Sequence, residues 1–196
     1  MDPILFVHGF GSNDKQYQPL IRYLEQKGIK KFYEFIYDSS VGLHPIKTIA
    51  EELAEYIAEN VKEENINIIG ISQGGIIALA YLKFYKNLPG QAGINVKKLF
   101  TLCSPHKGSR LAKLLNLPGI IDLRPNSKLL KELEIFAQNE KIDIYSVYTP
   151  FDLMVFPGWN ARPKYGKKKI IFAPAHPVAF FWPATKKFIY KNLFEK

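Results

Sequence analysis

Cysteine is nearly missing from this chain of 196 residues. Cys103 is the only one, so no internal disulfide can form, a composition that suits a reducing compartment. Long apolar runs are missing too. No segment approaches the roughly 18 apolar residues of a membrane-spanning helix. The start, Met1-Asp2-Pro3, passes at once into Ile4–Val7 and His8-Gly9, without the basic head and longer apolar stretch of a secretory leader. Together these features point to a cytoplasmic protein. Acidic residues are scarce, 18 against 27 Lys and Arg, which leaves a net charge of +9. Such a surface favours anionic partners. No stacking motif or recognition helix accompanies the charge, so nucleic acid is not expected. The other readings are a plain soluble surface rich in Lys and Glu and weak association with an anionic membrane surface. Internal repeats and low-complexity linkers are absent, and the length suits one domain over residues 1–196.

What the chain does have is alternation. Short apolar runs read as strands at Ile4–Val7, Phe32–Tyr37, Ile66–Ile69, Val96–Leu102, Ile142–Tyr148 and Lys169–Phe172. Between them lie helical stretches. Tyr17–Lys27 has Pro19 in its first turn and Gly28 as its stop. Pro45–Val61 carries Ile46, Ile49, Leu53 and Ile57 at spacings of three and four. Gln73–Tyr85 is apolar on most sides, Ser127–Gln138 follows later, and Phe188–Leu193 belongs to a closing helix. Strand–helix alternation implies a mostly parallel sheet of about six strands with helices on both faces, the α/β class. Residues Lys107–Glu140 break the rhythm. Their apolar members Leu111, Leu114, Leu115, Leu117, Ile120 and Ile121 suit either a small cap or lid or a pair of helices packed on the core.

The chemistry is carried by Gly70-Ile71-Ser72-Gln73-Gly74, a G-x-S-x-G pattern. Alone it arises by chance in roughly one chain in twenty of this length. Here it follows a strand and opens a helix, as a nucleophile elbow must, and the small residues let strand and helix approach. His8-Gly9-Phe10-Gly11 follows the first strand directly, where an acyl-transfer site needs a main-chain N–H aimed at the developing oxyanion. The donors would be the amides of Phe10 and Gln73. A serine hydroxyl needs a base. Of the four histidines, His8, His44, His106 and His176, only His106 and His176 follow Ser72, as the order serine–acid–histidine requires. His176 lies beyond the sixth strand and is taken as the base. His106 comes too early to follow an acid and reads as a loop residue near the site. The acid candidates are Asp122, Asp143 and Asp152. Asp152 stands just past the fifth strand, where a carboxylate reaches the next loop, and is preferred.

Four segments resemble the bacterial lipases and small esterases of the α/β-hydrolase superfamily, especially the minimal ones lacking the usual first two strands. They are Phe6-Val7-His8-Gly9-Phe10-Gly11, Gly70-Ile71-Ser72-Gln73-Gly74-Gly75, Thr101-Leu102-Cys103-Ser104-Pro105-His106-Lys107-Gly108-Ser109, similar over its second half to T-P-H-x-G-S, and Asp152-Leu153-Met154-Val155-Phe156-Pro157, similar to the acid loop D-x-x-V-x-P. The resemblance implies hydrolysis of a carboxylic ester through an acyl-enzyme. Ser72 would be the nucleophile, His176 the proton shuttle and Asp152 its support. It implies no cofactor. Some larger relatives carry calcium and a disulfide; one cysteine excludes the disulfide, and no acidic cluster suggests a calcium site or any other metal. Phe156, Trp159 and Phe180, with Phe181 and Trp182, flank the acid and histidine loops and are expected to line an acyl pocket. Short- to medium-chain acyl or lipid esters are the expected substrates. A lipid- or protein-binding module without turnover, and transfer of the acyl group to an alcohol or amine, are the alternatives.

Overall fold

The computed structural model describes residues 2–11, 14–38, 42–88 and 94–194. Its strands are β1 (Ile4–Val7), β2 (Phe32–Phe35), β3 (Asn65–Ile71), β4 (Asn95–Leu102), β5 (Asp143–Tyr148) and β6 (Lys167–Ile170). Its helices are α1 (Gln18–Gln26), α2 (Ile46–Asn60), α3 (Gln73–Phe84), α4 (Pro118–Asp122), α5 (Lys128–Asn139), α6 (His176–Ala179) and α7 (Pro183–Phe194). The six strands form one sheet in the order β2-β1-β3-β4-β5-β6, and every neighbouring pair is parallel. This is a minimal α/β-hydrolase fold. Among the described residues no helix is long and apolar enough to cross a membrane.

Strand side chains alternate between two cores, as the period of two demands. Leu5, Val7, Ile66, Ile68, Leu99 and Ile144 pack with the apolar faces of α2, α3 and α5. Ile4, Phe6, Ile69, Ile71, Phe100 and Val147 pack on the opposite side with α1 and α7. The chain leaves β1 toward β2 on one side and returns to β3 on the other. The strand order therefore reverses between β1 and β3, the place where open α/β sheets hold their ligands. Val7 pairs with Gly70 there, so the His8 loop and the Ser72 turn emerge side by side.

Several boundaries differ from the sequence reading for physical reasons. The second strand stops at Phe35 because the Tyr37 N–H bonds to the His8 ring (3.2 Å) rather than to a neighbouring strand. The sixth strand is Lys167–Ile170 rather than Lys169–Phe172. Its three lysines pair with β5 and leave charge on the sheet's outer edge, which blocks further strand addition. The closing helix that holds Phe188–Leu193 begins at Pro183; the Thr185 hydroxyl donates to the Ala179 carbonyl (2.7 Å) and fixes its first turn. Within 107–140, Leu129, Leu130, Leu133 and Ala137 of α5 join the same core as α3. The short helix α4 and the 3-10 turn Arg110–Lys113 carry too few residues for a periodic signal.

Candidate active site

Strand β3 runs one residue into the turn before α3 begins. The Ser72 N–H still donates to the Leu102 carbonyl (2.7 Å), and Ser72 then takes φ 52°, ψ −121°. A non-glycine residue pays strain in that region, and it does so at nucleophile turns. The neighbouring glycines are required by contact. A Cβ on Gly74 would stand 2.1 Å from the Val7 carbonyl oxygen, and one on Gly70 2.4 Å from the Gly75 Cα. The helix can start only if both stay bare.

The turn lifts Ser72 Oγ to 2.9 Å from His176 Nε2. His176 Nδ1 lies 2.5 Å from Asp152 Oδ2. A carboxylate only accepts, so the Nδ1 facing it carries the hydrogen and Nε2 is left to accept from the serine. Asp152 Oδ1 accepts the N–H groups of Met154 (2.9 Å) and Val155 (2.8 Å), which fixes the carboxylate's orientation. Asp152 and His176 are buried, and the Phe180 ring meets the imidazole edge-on at 5.0 Å. The three side chains singled out by their order along the chain thus stand in one line. The loop after β1 passes tightly over the serine: a Cβ on Gly9 would lie 2.9 Å from Ser72 Cβ. Phe10 and Gln73 border the space beside Ser72. Tyr37 braces this loop from behind, stacked on His8 at 4.1 Å and with its hydroxyl on the His8 carbonyl (3.1 Å).

The other candidates have different work. Nδ1 of buried His106 faces the Tyr165 hydroxyl (2.8 Å) and its Nε2 faces Thr101 Oγ1 (2.9 Å), so neither nitrogen is available to Ser72. Burial, with a smaller push from Lys107, lowers its pKa to about 3. Asp122 accepts the Ile46 N–H (2.9 Å) at the start of α2, and Asp143 opens β5 with its side chain exposed.

Beside Ser72 opens an apolar cavity of about 220 Å³. Its walls are Leu111, Ala112, Leu115, Ile120 and Leu123 from the segment after β4, with Met154 and Val155 from the acid loop. The aromatics expected there stand elsewhere. Phe180 is buried behind His176, the half-exposed Trp159 leans on Tyr148, and the partly exposed Phe156 lies outside the cavity lining. Nearness in sequence to Asp152 and His176 suggested them; the leucines of the irregular segment fold back over the serine instead. Ser109 had no motif-independent signal, yet it ties the two walls. Its hydroxyl donates to the Met154 carbonyl (2.8 Å) and accepts the Phe156 N–H (3.0 Å).

Cys103 stands behind the acid, in a left-handed conformation (φ 50°). Its sulfur and the nearest ligand atoms of Asp152 and His176 lie within 4.8 Å of one another. Burial first, then the charge of Asp152, hold the thiol well above its ordinary pKa. This is the one metal-type cluster among the described residues. Two ligands of a tetrahedral zinc ion, each about 2.0–2.2 Å from it, cannot stand 2.5 Å apart, so the His176–Asp152 contact is that of a hydrogen bond.

Residues 3–151 match the family model of palmitoyl protein thioesterase. No curated protein sequence matches the chain. Among solved structures, lipase B of Aspergillus fumigatus superposes with a TM-score of 0.78 at 15% identity, over 100% of this chain and 53% of that one. A monoacylglycerol lipase of Paleococcus ferrophilus gives 0.68 at 13% identity, over 97% and 91%. Phospholipase PlaB of Legionella pneumophila gives 0.64 at 16%, over 75% of this chain, which spans 38% of that protein's length. Identities this low show a shared fold.

Proposed function

The chain belongs to the palmitoyl protein thioesterase family and is a hydrolase acting on esters; from that premise we propose that it cleaves short- to medium-chain acyl esters through Ser72, His176 and Asp152. Ser72 Oγ attacks the acyl carbon as His176 Nε2 takes its proton. The amides of Phe10 and Gln73 hold the resulting oxyanion, and the leaving group departs with the proton from His176. Water then enters, gives a proton to the same nitrogen and releases the acid, restoring Ser72. Asp152 keeps the imidazole in the required tautomer and stabilises its positive form. The observation that carries this reading is the serine–imidazole–carboxylate line opening on an apolar cavity.

The family description names palmitoyl thioesters, whereas a cavity of about 220 Å³ lies below the roughly 300–1,000 Å³ of drug-sized ligand pockets. We therefore assign this chain shorter acyl groups, on oxygen or sulfur, drawn from lipid esters. A work site in the cytoplasm and contact with anionic membrane lipid complete the reading; the single buried thiol suits the former. A series of acyl thioesters and p-nitrophenyl esters, from acetyl to palmitoyl, tests it. Turnover falling from butyryl or hexanoyl to palmitoyl, and lost in Ser72→Ala, is expected. Palmitoyl as the preferred chain would refute the size assignment. Turnover that survives Ser72→Ala would refute the mechanism.

A further inference from the structure

The cavity opens through a rim that is apolar where it meets water. Two segments build it: the turn Arg110–Lys113 with the residues that follow, and the loop after Asp152. They are laced together by Ser109, by the Arg110 N–H on the Phe156 carbonyl (2.7 Å), and by Asn160 Nδ2 on the Gly108 carbonyl (2.8 Å). Leu111, Leu114, Leu115, Leu153, Met154 and Phe156 are all exposed along this seam. Leu114 and Leu153 are the extreme cases, 78% and 73% exposed. Three members, Leu111, Leu115 and Met154, also wall the cavity, so the exposed apolar surface runs without a break from solvent to Ser72. A continuous apolar patch of this kind marks a contact site.

The segments that build the rim carry exposed cations. Arg110 and Lys113 sit in the same turn as the leucines and are exposed. Between Glu64 and Asp122 the sequence has no acidic residue. Between Asp152 and Glu195 it has eight lysines and arginines and again no acid. The acids that bound these stretches near the rim, Asp122 and Asp152, are both turned inward, one to the start of α2 and the other to His176. Apolar side chains flanked by cations suit insertion below anionic headgroups.

We propose that this rim is a docking lip for an anionic lipid surface, on which Leu114 and Leu153 insert while Arg110 and Lys113 meet the headgroups. The proposal rests on the hydrolytic reading above and names the surface from which that site draws its ester. The lip and the proposed catalytic acid share one loop: Leu153 follows Asp152, and the next two amides hold the Asp152 carboxylate. Seating the lip therefore sets the cavity mouth against the lipid, with the Asp152 loop lying at the contact.

Co-sedimentation of the full chain with phosphatidylglycerol-containing vesicles, against pure phosphatidylcholine vesicles, tests the proposal. The unmodified chain is expected to bind the anionic vesicles and to be released by high salt. Leu114→Gln with Leu153→Gln lowers vesicle affinity by about tenfold or more. Arg110→Gln with Lys113→Gln lowers it on the order of 25-fold, about fivefold per cation. None of the four lines the cavity, so both double variants keep the parent kcat/KM on a water-soluble butyrate ester and the parent melting temperature. An unmodified chain that hydrolyses the soluble ester but ignores anionic vesicles overturns the lip. Vesicle affinity unchanged in both double variants overturns it as well. A dimer in sedimentation velocity that the leucine variant dissolves would assign the patch to a second copy of the chain, against the proposal. Vesicle binding that the variants abolish, in a chain inert toward every ester, would leave the lip standing and remove the hydrolytic reading.

Discussion

At mildly acid pH an unfolded chain takes up a proton that folded His106 refuses. Burial depresses this imidazole from an ordinary value near 6.5 to about 3. Between those two values the unfolded state binds one more proton than the folded state, so stability rises with pH and is lost as pH falls. Each unit is worth about 1.4 kcal/mol, giving a loss of about 3 kcal/mol on going from pH 7 to pH 4 and about 5 kcal/mol over the whole window. Below about pH 3 both states hold the proton and the loss stops growing. Urea unfolding of the parent and of His106→Gln across this range measures it. The variant forfeits the hydrogen bonds to Thr101 and Tyr165 and starts about 1–3 kcal/mol lower at neutral pH. Its stability then declines with a slope shallower by up to about 1.4 kcal/mol per pH unit. Parallel slopes in parent and variant would refute the reasoning, for they would mean that His106 exchanges its proton freely in the folded chain. The same experiment separates the two downstream histidines. His106→Gln should lower stability and leave most of the activity of the folded molecules at neutral pH.

Other outcomes follow from single contacts. His176→Gln should keep the parent melting temperature within a few degrees and lose activity on the order of 10⁴-fold or more, read by kcat on a soluble ester. Gly74→Ala should yield little folded protein, because the added methyl meets the Val7 carbonyl at 2.1 Å; circular dichroism of the purified variant checks this. Iodoacetamide near neutral pH should leave Cys103 unmodified and activity intact, since the buried thiol is held protonated; stoichiometric labelling by mass spectrometry would contradict that. A fluorophosphonate probe should label the parent at Ser72 and leave Ser72→Ala unlabelled.

Much of this arrangement was legible in the residue pattern because it obeys local rules. Alternating side chains sort cleanly onto two sheet faces, and α2 could be read from Ile46, Ile49, Leu53 and Ile57, all of them buried. The G-x-S-x-G turn is a backbone constraint written in glycine, and chain order singled out Asp152 and His176, which stand within hydrogen-bond reach of each other and of Ser72. What was not legible depends on long-range packing. Tyr37 looked like strand until His8 claimed its amide. Lys167 and Lys168 lay outside the expected sixth strand, yet an edge strand accepts them. The cavity wall was placed on aromatics near Asp152 and His176 in sequence, whereas Leu111, Leu115, Ile120 and Leu123 fold back from a segment with no steady period. The Cys103 thiol behind Asp152 left no trace in the pattern at all.

The His8–Tyr37 stack also marks how far such a scaffold can shrink. With β2 only four residues long and nothing among the described residues paired beyond it, the Tyr37 ring backs the first loop against sagging outward. Trimming from the opposite edge, past the lysines, would expose β5 but leave that prop untouched. Shaving the β2 side would slacken the loop over the nucleophile while Ser72, His176 and Asp152 still stood in line, giving a folded protein whose serine remains reactive and whose turnover collapses.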